Sequence, residues 1–174
     1  NLTVVEWKIK QMKDFILTSS AFEDGGEIPR ECGYKNENEQ PPLAIRGIPD
    51  EAESLALIMD DPDAMGAVGK VWVHWVVWNI QPNQNDYASG GRHDEIEDLQ
   101  THQNDNMEMY REGMTDFGKA EYGGPAPPDK RHTYVFKLYA LDSELDLPDK
   151  STKADVEKAM EGHIIEQTQL TGTY

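Results

Sequence analysis

Residues 70–80, KVWVHWVVWNI, constrain the fold of this chain more than any other stretch. In an extended strand successive side chains point to opposite faces. Trp72, His74, Val76 and Trp78 would then share one face, and Val71, Val73, Trp75 and Val77 the other. Both sets are apolar apart from His74. A strand of this kind belongs at the centre of a sheet that carries a layer on each side. It also raises a question of chemistry. Desolvation disfavours the charged form of an imidazole in such a wall, which is tolerated where a partner orients one ring nitrogen.

Two further runs read as strong strands, SLALIMD at 54–60 and HTYVFKLYAL at 132–141. On the second, His132, Tyr134, Phe136 and Leu138 share a face. Shorter strands are expected at 3–9 (TVVEWKI) and 15–22 (FILTSSAF), where apolar residues alternate. The stretch 151–170 reads as a helix. Thr152 is its N-cap, Asp155 completes a capping box, and Val156, Ala159, Met160 and Ile164 form its apolar stripe. The fold class expected is mainly β: a β-sandwich with a few peripheral helices, one of them C-terminal. No repeat or linker interrupts the chain, so 1–174 is expected to form one domain. Residues 81–111 are polar without a clean period and read as a long surface loop, with some local helix.

Charge removes several classes of function. Sixteen Lys and Arg against thirty-three Asp and Glu give a formal net charge of −17. Binding a phosphate backbone depends on basic side chains releasing counterions, so a nucleic-acid partner is not expected. Docking on an anionic membrane surface is disfavoured in the same way. No window approaches the roughly 18 apolar residues of a membrane helix. The first residues alternate and carry charge, unlike a signal peptide. Cys32 is the single cysteine, which suits a reducing compartment, and a cytoplasmic location is expected, with the periplasm as the alternative because a periplasmic protein can also lack disulfides.

The residues with chemistry fall at strand ends. Asp61 and Asp63 follow the 54–60 strand, His74 lies on the next, and Gly124 and Pro125 belong to GGPAPP, just before His132 and Tyr134. Together they would line a small polar pocket suited to an anion. Asp61 or Asp63 would orient one nitrogen of His74 and leave the other N–H for the ligand. Glycine-rich backbone amides and the Tyr134 hydroxyl would add donors. A phosphate or carboxylate monoester fits, and the neighbouring acids favour one that also carries an ammonium or hydroxyl donor. Blander readings stand beside this one: DPDA as a turn, His74 as a satisfied core group, GGPAPP as a plain turn. Asp61, Asp63, His74 and His132 are also competent Zn or Mn ligands, but their spacing is no known metal signature. HExxH, CxxC, GxSxG, P-loop and GxGxxG motifs are absent, so no cofactor is expected. A carboxylate–histidine acid–base enzyme is the alternative to a non-catalytic binding protein.

The blocks SSAFEDGGEIP, ECGYKNENEQPPLAIRGIP, SLALIMDDPDA, HWVVWNI, EGMTDFGKAEYGGPAPP, HTYVFKLYALDSELDLP and KADVEKAMEGHIIEQTQLTGTY follow one another in an order that resembles the phosphatidylethanolamine-binding protein family, also called Raf kinase inhibitor-like, in its bacterial and archaeal branch. The resemblance implies a β-sandwich with small helices at its ends and a pocket for phosphate-like anions such as the phosphoethanolamine head group. That pocket would be lined by Asp61, Asp63, His74, Gly124, Pro125, His132 and Tyr134. It also implies a non-enzymatic role, regulation or inhibition of a partner protein such as a kinase or protease, and pairing as a homodimer. Three departures stand out. Met65 replaces the proline that usually follows DPDA, the 81–111 segment is longer than usual, and PPDKRH is short where a glycine-containing loop is common.

Overall fold

Strand β4, Ser54–Asp61, is buried at all eight positions. It earns that place because it is flanked on both edges: β5, Trp72–Ile80, and β7, Thr133–Leu141, both pair with it antiparallel. The computed structural model describes residues 3–4, 14–82, 94–101 and 110–174. Beyond β7 lies β8, Ile164–Thr173, and beyond that β2, Gly26–Glu27. Beyond β5 lies the short β6, Arg111–Glu112. The six strands run in the order β2-β8-β7-β4-β5-β6.

The sheet is covered on both faces, as a central strand buried along its whole length requires. On one face Leu57, Met59, Trp75, Val77, Phe136 and Leu138 pack with Leu17, Leu43 and Ile45. Leu17 and Ile45 come from a second, two-stranded sheet of β1, Ile16–Thr18, and β3, Ala44–Arg46. On the other face Ala56, Ile58, Val76 and Trp78 pack with Leu145, Val156 and Met160. The last two belong to helix α2, Lys153–Met160; a shorter helix α1, Ala64–Val68, follows β4. The result is the mainly β, sandwich-like architecture that the strand patterns imply, with few helices.

Three expectations change in detail. The helix expected over 151–170 covers only α2. Its capping box is present: Thr152 Oγ1 accepts the Asp155 amide and Asp155 accepts the Thr152 amide, at 3.2 and 2.9 Å. Such a cap is worth about 1 kcal/mol. Gly162 then takes a left-handed conformation at φ 79° and stops the helix. The remainder, rich in Ile and Thr, is β8. Ile164 is therefore no part of a helical stripe but an exposed strand residue. The strand expected at 15–22 shortens to β1, and that at 3–9 falls outside the described residues apart from Thr3 and Val4.

Within 81–111, residues 83–93 and 102–109 lie outside the described residues. The part between them docks on the core. Ile96 bridges Ile45, and Ile96 and Leu99 are buried in the cluster that includes Leu43.

Candidate functional site

The polar cluster forms where β4, β5 and β7 end, and an irregularity in β5 aims one of its members. Met59 pairs with Trp75 but Asp60 pairs with Val73, so His74 is an extra residue on its strand. A bulge of this kind re-aims a side chain. Val73 packs against the helix-covered face. His74 instead meets Tyr134 at a 5.1 Å ring separation on the other face, beside Trp75 rather than with Val76 and Trp78. Strict alternation places His74 on the wrong face because it does not allow for the inserted residue.

The two acids of DPDA tie the end of β4 to the start of β7. Asp61 Oδ2 lies 2.6 Å from His132 Nδ1, and its Oδ1 accepts the Ala64 amide at 3.2 Å. Asp63 Oδ2 accepts the Thr133 amide at 2.8 Å. His132 has a second carboxylate on its other nitrogen, Asp129 Oδ1 at 2.7 Å from Nε2. Both ring nitrogens thus face acceptors, and only the imidazolium can donate from both. Burial works against that charge, but the hydrogen bonds and charges of Asp61 and Asp129 outweigh it and raise the His132 pKa. The same contact lowers that of Asp129.

His74 is held differently, and the expectation that Asp61 or Asp63 orients it is corrected. Asp61 is engaged by His132. The partner of His74 Nδ1 is the Gly123 carbonyl, at 2.7 Å. A carbonyl accepts, so Nδ1 carries the proton and the neutral ring offers Nε2 as an acceptor instead of a free N–H. Burial keeps the ring neutral by lowering its pKa, against the Gly123 contact and the Asp61 charge. Asn38 fixes the carbonyl's loop from both sides. It donates to Tyr122 O at 3.1 Å and accepts the Gly124 amide at 2.7 Å. The glycines are needed for contact. A Cβ on Gly124 would lie 1.9 Å from Cys32 O, and one on Gly123 would lie 2.4 Å from the Phe117 ring, which itself packs edge-on against His74.

Tyr134 stands between the two imidazoles, with ring separations of 5.1 Å to His74 and 6.4 Å to His132. Its hydroxyl is buried; the Ala126 amide lies beside its oxygen, and its proton has no acceptor among the described residues. Burial, with Asp61 and Asp63 nearby, raises its pKa, so it stays a protonated donor. Pro125 lines an adjoining cavity of about 470 Å³ together with Asp129, Lys130 and Arg131. Met65 sits exposed in the first turn of α1, where its amide reaches Pro62 O at 3.3 Å.

The structure therefore brings Asp61, His132 and Tyr134 into one cluster with His74, sets Asp63 and Gly124 in its supporting turns, and puts Pro125 at the neighbouring cavity. The four residues considered as metal ligands do not converge. The nitrogens of His132 face carboxylates, Nδ1 of His74 faces a carbonyl, and no group of three or more His, Cys, Asp or Glu among the described residues could hold an ion. Sequence reasoning misses Asp129 and Asn38. The signal for Asp129 was its place three residues before His132, in the loop already marked as unusual; Asn38 has no local signal.

The fold and cluster define a class: a layered β scaffold that presents a small buried polar site at its strand ends. Comparison with known proteins gives the family. The model for phosphatidylethanolamine-binding protein matches residues 18–174. A UPF0098 protein of Methanothermobacter thermautotrophicus is 43% identical over 158 residues, covering 91% of this chain and 97% of that protein. Among solved structures, a phosphatidylethanolamine-binding protein homologue from Chlamydia trachomatis is 33% identical with a TM-score of 0.77, covering 93% and 97% of the two chains. E. coli YbcL, described as a member of the mammalian family, is 28% identical with a TM-score of 0.73, covering 92% and 97%. The chain belongs to the phosphatidylethanolamine-binding protein family, in its bacterial and archaeal branch. No helix among the described residues is long and apolar enough to cross a membrane.

Proposed function

We propose that this protein is a non-catalytic binding protein whose cluster of Asp61, His74, His132 and Tyr134 takes phosphate-like anions, phosphoethanolamine-type head groups among them. One observation carries the reading: the buried Tyr134 hydroxyl, between two imidazoles, whose proton has no acceptor among the described residues. A buried donor left unpaired costs about 1–3 kcal/mol. A fold that retains one has a use for it, and an incoming oxygen would satisfy it. The His132 imidazolium supplies a second, charge-assisted donor. Neutral His74 supplies an acceptor. The best ligand therefore carries a proton of its own to share, on a phosphate monoester hydroxyl or an ammonium.

The single cysteine does not supply a nucleophile that would favour catalysis over binding. The Cys32 thiol is pushed up to about 11, by burial first and then by Glu31 and Glu39, and a thiol in that state does not attack. A partner protein that reads the same rim, as a regulated kinase or protease would, is compatible with this role. The test is an NMR titration of the imidazole signals with O-phosphorylethanolamine and with inorganic phosphate near pH 7. His74 and His132 should shift together and saturate, and His74→Ala should lose the response while keeping its fold. Wild-type binding by His74→Ala, or turnover of phosphomonoesters that disappears in His132→Ala, would overturn the proposal.

A further inference from the structure

The two carboxylates on His132 are not equivalent. Asp61 is 4% exposed and its second oxygen is committed to the Ala64 amide. The Asp129 side chain is 44% exposed and sits on the loop only three residues away. Apart from His132, the groups acting on it are backbone amides of its own loop, at Asp129 and Lys130. One carboxylate is built into the fold, while the other rests on the ring from outside.

The outer one lines the cavity of about 470 Å³, beside Lys35, Lys130 and Arg131. Arg131 is engaged by Glu27 and Thr173, at 3.2 and 3.3 Å. Lys35 and Lys130 have no ion pair among the described residues. Cations gathered in a concave site attract anions, even on a chain whose net charge is −17. The cavity is thus an approach for an anion, and Asp129 stands between it and the imidazolium.

From this geometry, and resting on the anion-binding reading above, we infer that Asp129 is a resident competitor: its carboxylate holds His132 Nε2 until a phosphate oxygen entering through the Lys35–Lys130 cavity displaces it. Carboxylate and phosphate oxygens are acceptors of the same kind, so the exchange replaces one charge-assisted hydrogen bond by another. Asp129 is tethered, and it competes at a high effective concentration. A ligand's apparent affinity falls by the fraction of molecules in which the ring is free. That fraction belongs to the protein alone, so every anion is weakened by one common factor. Simple repulsion by the Asp129 charge would behave otherwise, growing with the charge of the ligand.

The experiment measures the binding of inorganic phosphate and of acetate by the imidazole shifts of His132, in the wild type and in Asp129→Ala. If the ring is free in about one molecule in ten, Asp129→Ala binds both anions about tenfold more tightly. The gain should be the same for the two ligands, with the melting temperature lowered only slightly because the Asp129 side chain is 44% exposed and solvent screens its contact. Equal or weaker phosphate binding by Asp129→Ala overturns the competitor while leaving the anion site standing. A gain for phosphate that is absent for acetate also overturns it, because charge repulsion is then enough. If neither protein binds either anion, the anion-binding reading fails, and the competitor fails with it.

Discussion

Asp60 and Asp61 are neighbours on β4 and both are buried, yet they face opposite ways into different chemistry. Asp60 Oδ2 meets two lysines, Lys153 at 2.8 Å and Lys137 at 3.4 Å. Asp61 meets an imidazole whose charge depends on its surroundings, beside a hydroxyl whose proton has no acceptor among the described residues and a second carboxylate open to solvent. On the proposed function, the contrast separates a structural charge from a functional one. The first kind is held between two cations on neighbouring elements. The second is joined to groups that can change state or partner.

The largest effect expected from breaking that contrast is in Asp61→Ala. It strips the inner partner from a buried imidazolium, which should cost about 3 kcal/mol in a denaturant titration. The His132 pKa should drop and phosphate binding should be lost. Next comes Asp60→Ala, at about 2 kcal/mol once the exposure of the two lysines is discounted. Its phosphate affinity should equal that of the wild type. Equal losses of affinity in the two variants would show that the faces are not independent.

Tyr134→Phe sharpens the comparison by setting stability against binding. Removing a buried hydroxyl whose proton has no acceptor among the described residues should stabilise the protein by up to about 1 kcal/mol. It should weaken phosphate about tenfold, the equivalent of one hydrogen bond. A destabilised Tyr134→Phe would mean that the hydroxyl already has a structural partner.

The smallest effect is in pH. His132 should titrate above the ordinary value near 6.5 and His74 below it, which NMR resolves directly. The signs for stability are then opposite. The raised His132 contributes fully below its unfolded pKa, and that contribution is lost as pH rises through its folded pKa. The lowered His74 contributes above its unfolded pKa, and that contribution is lost as pH falls through its folded pKa. Stability should therefore have a shallow maximum between the two folded values. A single coincident titration of both rings would remove the distinction drawn between them.

Much of this was readable from the residues. The runs at 54–60, 70–80 and 132–141 specify strands because burial on both faces leaves apolar side chains no other arrangement, and they appear as β4, β5 and β7 within a residue or two. The set Asp61, His132 and Tyr134 was legible because Asp60 and Val135 pair across adjacent strands, which brings those ends together. Partner choice was not legible. The inserted residue at His74, the Gly123 carbonyl that takes its proton and the Asp129 carboxylate on His132 all depend on how separate segments meet.

The C-terminal segment shows the same division. The capping box, Val156 and Met160 specify α2 locally, through hydrogen bonds and contacts a few residues apart. Helical spacing alone could not say that the helix stops at Met160 and that 164–173 become a strand. An unpaired edge on β7 supplies hydrogen bonds to any extended segment within reach, and the turn at Gly162 brings this one alongside. Sequence determined which residues had to be buried and which turns were available. Tertiary structure decided which partner each buried polar group received, because such groups are satisfied by whatever the packing places beside them.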